Sequence, residues 1–265
     1  MNRKYRAVVL DLDGVVWRGS KPLKQNISAI KMLEEAGIKT IYLSNNATKS
    51  RIEYRDVLER LGLKTTLKSI INSAYAVTVY VKDNGGKRVF IVGEAGLFYE
   101  ASLAGLLPVT IGSPADYVIA AMDRFTTYNK LAYACRLIRD GAGFAAANTD
   151  KTYPVEDGLD PGAGSIISFL EACSDRKPDI VAGKPNPWIL ELALKQNGLS
   201  RNEVLIVGDR LDTDIMLGVN TGVDSLLVLT GISRVEDVEK YGVNPTYIAK
   251  DLLEFINSYP ELFGL

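Results

Sequence analysis

The sequence predicts an α/β protein: a Rossmann-like parallel sheet with helices on both faces, carrying an inserted, smaller α/β unit. Near-continuous Val/Ile/Leu runs alternate with amphipathic stretches, the pattern of strands buried on both faces between helices. A separate set of alternating elements occupies residues 87–178. Polar residues follow the apolar runs, at the carboxyl ends of strands where open parallel sheets bind ligands.

In chain order, RAVVLDLD (6–13) is the first strand and SAIKMLEEAG (28–37) a helix stopped by Gly37. KTIYLSNN (39–46) is a strand and KSRIEYRDVLERLG (49–62) a helix. SIINSAYAVTVYVKDN (69–84) is expected to be helical throughout. Within 87–178, strands are expected at KRVFIVGE, LPVTIG, DYVIAAMD and GFAAANTD, and helices at GLFYEASLAG, TYNKLAYACRLIRDG and AGSIISFLEACS. DIVAGKP (179–185) is expected to re-enter the core as a strand. The helix PWILELALKQNG, the strand EVLIVGD, the helix DTDIMLGVNTG, the strand DSLLVLTG and the closing strand and helix of NPTYIAKDLLEFINS follow. The domain reading is therefore a core of residues 1–86 and 179–265 around an insert of 87–178. DNGGK (83–87) and SDRKP (174–178) are its hinges.

Composition narrows the function. The chain of 265 residues is 47% hydrophobic, enough for a sizeable core, and its 31 basic and 32 acidic residues nearly cancel. No basic patch argues for nucleic acid, and no apolar run argues for a membrane span. Cys135 and Cys173 belong to no metal or redox pattern and read as buried free thiols in a reducing, cytoplasmic setting. Histidine is absent altogether, which excludes Ser-His and Cys-His nucleophile pairs and His-ligated zinc. Acid–base chemistry must then come from carboxylates, lysine, tyrosine or a metal-bound water.

Four strand ends carry the candidates. Asp11, Asp13 and Gly14 follow VVL; Ser44, Asn45 and Asn46 follow TIYL; Lys184 and Pro185 follow DIVAG; Asp209, Arg210 and Asp214 follow VLIVG. Each alone has a plainer reading as a turn, a helix cap or a surface charge. Together they supply carboxylates for a hard cation, a hydroxyl and amides for oxyanions, and one ammonium. Oxygen-only ligands suit Mg²⁺, which also takes substrate oxygens. On a phosphate ester, Asp11 could attack phosphorus while Asp13 protonates the leaving oxygen and then deprotonates water. That duty needs Asp13 protonated near neutral pH, in a site that raises its pKa.

The pattern DLDGV (11–15), LSNN (43–46), GKP (183–185) and GDRLDTDI (208–215) resembles the haloacid dehalogenase superfamily of aspartate-nucleophile phosphatases, and most of all its nitrophenylphosphatase-like branch. AANTDKTYPVEDGLDPGAGS (146–165) resembles that branch's cap loop. The resemblance implies a Mg²⁺-dependent hydrolase of small phosphorylated metabolites. Asp11 would be nucleophile and ligand, Asp13 acid/base and carbonyl ligand, Asp209 a direct ligand, and Asp214 a ligand or an anchor through water. Ser44, Asn45 and Asn46 would bind the phosphoryl group, and Lys184 would hold its charge. Asn148, Asp150 and Tyr153, with Met122 and Asp123, are candidates for the substrate side; loop capping is the plainer reading of Asp150 and Asp157. The branch's habit of pairing through the cap implies a homodimer. A mutase passing the same aspartyl-phosphate to a sugar hydroxyl, and a receiver-like protein that is phosphorylated without turnover, are the competing readings. Phosphoglycolate, nucleotide, sugar and nitrophenyl phosphates are all compatible substrates.

Overall fold

The structure is a computed structural model that describes residues 4–155 and 158–265. Asp157 lies outside them. The chain divides into two compact units. The first comprises residues 1–44, 54–71 and 184–265, and the second residues 45–53 and 72–183.

The first unit is built on a six-stranded sheet. From edge to edge its strands are Tyr247–Ala249, Ser225–Val228, Val204–Gly208, Ala7–Asp11, Lys39–Ser44 and Ile70–Asn72. Ala7–Asp11 sits inside, parallel to both neighbours, with Val9 level with Ile206 on one side and Ile41 on the other. Its first four residues are fully buried, as a strand covered on both faces requires. Leu10, Leu12, Val16, Ile30, Leu33, Tyr42, Leu205 and Phe255 belong to one core over one face.

The helix Lys24–Glu35 shows how pattern becomes packing. Its buried residues, Asn26, Ile27, Ala29, Ile30 and Leu33, recur at three- and four-residue spacing and form one stripe. Asn26 is the polar member of that stripe and is fully buried. Its amide donates to Val15 O at 2.8 Å, and its oxygen accepts from Leu252 N at 2.8 Å. It thereby ties the turn after the first strand to the C-terminal helix Leu252–Ser258.

The second unit has a five-stranded parallel sheet in the order Ile180–Val181, Gly143–Ala146, Tyr117–Ala120, Arg88–Val92 and Leu107–Pro108. Phe90, Val118, Ile138, Phe144 and Leu170 belong to its separate core. A hairpin pairs Thr152–Val155 with Gly158–Pro161.

Several elements differ from the sequence expectations. Residues 69–84 are not helical throughout: Ile70–Asn72 is an edge strand, and Asn72 caps the helix Ser73–Asp83 by accepting from Tyr75 N. Two adjacent β-branched isoleucines, both buried, favour the strand. DIVAGKP does not enter the core sheet. Ile180–Val181 pairs with Gly143–Ala146, and Ala182 and Gly183 continue the ladder onto Ala146 O and Ala147 O. Helix Val235–Tyr241 was not among the expected elements. Cys173 is exposed, not buried, because the buried stripe of helix Ala163–Ser174 runs through Ile167, Leu170 and Ser174 and bypasses it; Cys135 is buried, and both are free. No helix among the described residues is long and apolar enough to cross a membrane.

Replacing Asn26 by Ala leaves one buried N–H and one buried C=O without their partner. The expected cost is about 2–4 kcal/mol in urea unfolding; a loss within experimental error would contradict the pinning role.

Candidate active site

The site grows from the register of the central strands. Asp11 is the last residue of its strand and pairs with Leu43, so Ser44 lies one step beyond it on the next strand. On the other side Leu10 pairs with Val207, and that strand ends at Gly208, immediately before Asp209. Parallel strands in register therefore deliver Asp11, Ser44 and Asp209 to one edge of the sheet.

Lys184 draws the group together. Its ammonium lies 2.6 Å from Asp11 Oδ1 and 2.7 Å from Asp214 Oδ1, and it donates a longer bond to Leu43 O at 3.4 Å. Only 3% of the Lys184 side chain and 1% of Asp214 are exposed, and Asp11 keeps 11%. Asp214 stands in a wide helical turn, Leu211–Ile215, and its second oxygen accepts from Arg210 N at 3.2 Å. Oxygens of Asp11, Asp209 and Asp214 lie within 4.8 Å of one another.

Three clustered carboxylates against one ammonium leave the group electrostatically short of positive charge. Burial pushes the Asp11 carboxyl well above the usual carboxylate range; the Lys184 charge opposes the shift, and Asp214 and Asp209 add to it. Burial, reinforced by Asp214, raises Asp209 to about 7. Burial works against the Lys184 ammonium, but the charges of Asp11 and Asp214 outweigh it and hold its pKa above the lysine norm.

The donor set fits a hard divalent cation. Asp209 Oδ2 accepts from Ile232 N at 2.7 Å, whereas its Oδ1 is buried without a hydrogen-bond partner among the described residues. An unpartnered buried carboxylate oxygen is costly unless something positive faces it. The backbone after Asp11 closes against the same group. Gly14 has φ +83°, and a Cβ there would come within 2.3 Å of Asp209 Cγ, so only glycine permits this approach.

Asp13 is exposed, and the Trp17 indole N–H donates to its Oδ1 at 3.0 Å. The sequence reading asks for enclosed surroundings around Asp13, whereas its side chain is exposed. Trp17 itself stacks on Tyr54 at 6.3 Å, nearly parallel. The sequence reading does not single it out; an aromatic four residues beyond a candidate acid is the signal that could have.

The remaining candidates lie in the second unit. The Asn45 amide donates to both oxygens of Asp150, at 3.1 and 3.3 Å. Asn148 Nδ2 and the Ser73 hydroxyl both donate to Asn45 O, and Asn148 Oδ1 accepts from Asp150 N. Asn45, Asn148 and Asp150 thus form one network. The Asn46 oxygen accepts from the backbone and hydroxyl of Thr48, a turn contact. Tyr153 donates to Asp160 across the hairpin at 3.3 Å. Asp123 is buried, pairs with Lys130 at 2.6 Å and accepts from Phe125 N, so its carboxylate is committed within its own unit; Met122 beside it is partly buried.

Comparison with known proteins agrees with this geometry. Residues 8–106 match the family described as haloacid dehalogenase-like hydrolase, and residues 181–255 a second family of the same hydrolase class. The chain is 37% identical over 255 residues to an acid sugar phosphatase of Staphylococcus aureus, covering 96% of this chain and 98% of that one. It superposes on a p-nitrophenyl phosphatase from Archaeoglobus fulgidus with TM-score 0.92 and 33% identity, over 96% of this chain and 99% of that one. It also resembles a glycerol phosphate phosphatase from Mycobacterium tuberculosis solved with calcium, with TM-score 0.85 and 34% identity, over 94% of this chain and 74% of that one.

The raised Asp209 pKa sets a pH dependence. Between its ordinary value of 3.8 and about 7, the folded chain binds a proton that the unfolded chain has released. Its contribution to stability is therefore present at low pH and is lost as pH rises through about 7. In EDTA, wild type is expected to lose stability relative to Asp209→Asn from about pH 4 to about pH 7, read by urea unfolding. Parallel pH profiles for the two proteins would contradict the assignment.

Proposed function

We propose that this chain, which belongs to the haloacid dehalogenase-like hydrolases and is a phosphoric monoester hydrolase of their nitrophenylphosphatase branch, cleaves small phosphate monoesters using Mg²⁺ and an aspartyl-phosphate on Asp11. The observation that carries this reading is the buried Lys184 bridge between Asp11 and Asp214, with the unpartnered Asp209 oxygen beside it. Acid sugar, nitrophenyl and glycerol phosphates are what the named relatives act on, and they support a small phosphorylated substrate here.

Asp11, Asp209 and Asp214, with the Asp13 carbonyl, would hold the cation. When bound it would offset negative charge on the carboxylates and on the phosphoryl group. The chain's own residues do the rest. Lys184 fixes the Asp11 carboxylate by a 2.6 Å contact, and its charge opposes the effect of burial on that group. An Asp11 oxygen forms a bond to phosphorus as the bond to the leaving oxygen breaks, and Asp13 gives that oxygen its proton. Water then attacks the phosphorus of the aspartyl-phosphate, Asp13 takes the water's proton, and the Asp11 carboxylate is restored as phosphate departs. The Ser44 hydroxyl, buried at the end of the neighbouring strand, donates to a phosphoryl oxygen. Asn45, Asn148 and Asp150 serve less directly, since their network fixes the main chain just beyond Ser44. Exposed Leu103, Leu107 and Ile111 of the second unit support pairing of two copies through that unit.

Asp11→Asn is expected to abolish turnover while keeping the circular dichroism spectrum of the wild type. Full activity in that variant would overturn the reading. Asp13→Asn should slow alkyl phosphates by at least about tenfold more than nitrophenyl phosphate, whose leaving group needs no proton. Equal slowing of both would remove Asp13 as the acid.

A further inference from the structure

An acid that passes a proton to a leaving group has to present it in one direction. Asp13 is exposed, so burial does not fix its side chain, and a neighbour has to. Trp17 is placed to do so: its indole N–H donates to Asp13 Oδ1 at 3.0 Å. Backbone contacts close the turn between the two residues. Trp17 N donates to Leu12 O at 3.2 Å, and Gly14 N donates to Trp17 O at 2.6 Å. Gly14, at φ +83°, supplies the reversal that brings residue 17 back level with residue 13, where the two form an isolated parallel bridge.

The indole is anchored from the other side as well. Its ring stacks on Tyr54 at 6.3 Å with the planes 8° apart, and Tyr54 is buried in the core of the first unit. Its main chain pairs with Pro22 in the short hairpin Trp17–Arg18 and Lys21–Pro22. Ring and backbone are therefore both held while the N–H is aimed at the carboxyl group. An indole nitrogen donates and does not accept. The oxygen facing it must accept, so a proton on Asp13 belongs on Oδ2.

We propose that Trp17 is the positioning residue of the acid/base. It holds the Asp13 carboxyl in one rotamer and reserves Oδ2 for the proton that passes to the leaving oxygen and is later taken from water. This inference rests on the role given to Asp13 above and adds a residue to it. The proton leaves Oδ2 as the bond from phosphorus to the leaving oxygen breaks, while Oδ1 keeps its N–H partner, so that contact need not rearrange during the transfer. An ester whose leaving group needs no proton makes no use of the arrangement. The effect of Trp17 therefore depends on the leaving group, as a purely structural role would not.

The test is a double-mutant cycle on the full-length chain, assayed with Mg²⁺: wild type, Trp17→Phe, Asp13→Asn and the double variant. Trp17→Leu serves as a second replacement that lacks the N–H. The reading is kcat/KM on glycerol 3-phosphate and on nitrophenyl phosphate, which reports the steps up to phosphoryl transfer. Both Trp17 replacements are expected to lower it for glycerol 3-phosphate by at least about fivefold, and to leave it for nitrophenyl phosphate within about twofold of wild type. In the Asp13→Asn background, Trp17→Phe should change neither ester by more than about twofold, because the group it positions is gone. Equal losses on both esters, no loss on glycerol 3-phosphate, or losses that multiply in the double variant would overturn the positioning role while leaving Asp13 as the acid. If Asp13→Asn alone slows both esters equally, the acid role fails and this proposal with it.

Discussion

A lysine ammonium buried to 3% exposure between two carboxylates, 2.6 and 2.7 Å away, is the constraint that the site obeys. A buried ammonium without partners costs several kcal/mol, so the fold must bring both carboxylates to it. Those carboxylates come from residues 11 and 214, and the lysine from residue 184, so three distant stretches of chain must arrive together. The central position of Ala7–Asp11 between Val204–Gly208 and Lys39–Ser44 makes this possible. The apolar strands thus do more than fill the core; their register sets the height at which the polar residues emerge.

The same arrangement carries an electrostatic deficit. One ammonium does not balance three carboxylates held within 4.8 Å, and burial raises Asp11 and Asp209 against ionisation. The unpartnered oxygen of Asp209 is where the deficit is sharpest. The backbone at Gly14 and Gly231 packs so closely on the Asp209 carboxylate that a Cβ at either position would collide with it. Low dielectric and unbalanced charge together make a hard cation the economical completion of the site.

Much of this was legible in the sequence. Asp11 and Asp209 announce themselves because apolar runs stop at them, and Asp214 because it lies one helical turn further on. Lys184 stands beside Asp11, but not at the end of a core strand. Its preceding strand, Ile180–Val181, belongs to the second sheet, and two residues are too few for periodicity to say which sheet they join. Ile70–Asn72 is illegible for the same reason, being too short to break a helical pattern. Asn45 and Asp123 are expected to face a ligand; Asn45 also donates to Asp150 and Asp123 accepts from Lys130, partners that a pattern of strand ends does not reveal. Asn26, set among isoleucines on a buried helix stripe, carried a signal that hydrophobic patterning discards. The pairing of Trp17 with Asp13 is likewise invisible to a search for strand ends.

The account turns on whether Asp11 becomes covalently bound to phosphorus. The stereochemical course at phosphorus tests this most directly, using a phosphate ester made chiral with oxygen isotopes and a single turnover into isotopically labelled water. Two successive in-line displacements, the first by Asp11 and the second by water, give net retention of configuration. Net inversion would show that water attacks the ester directly, and would contradict the role assigned to Asp11.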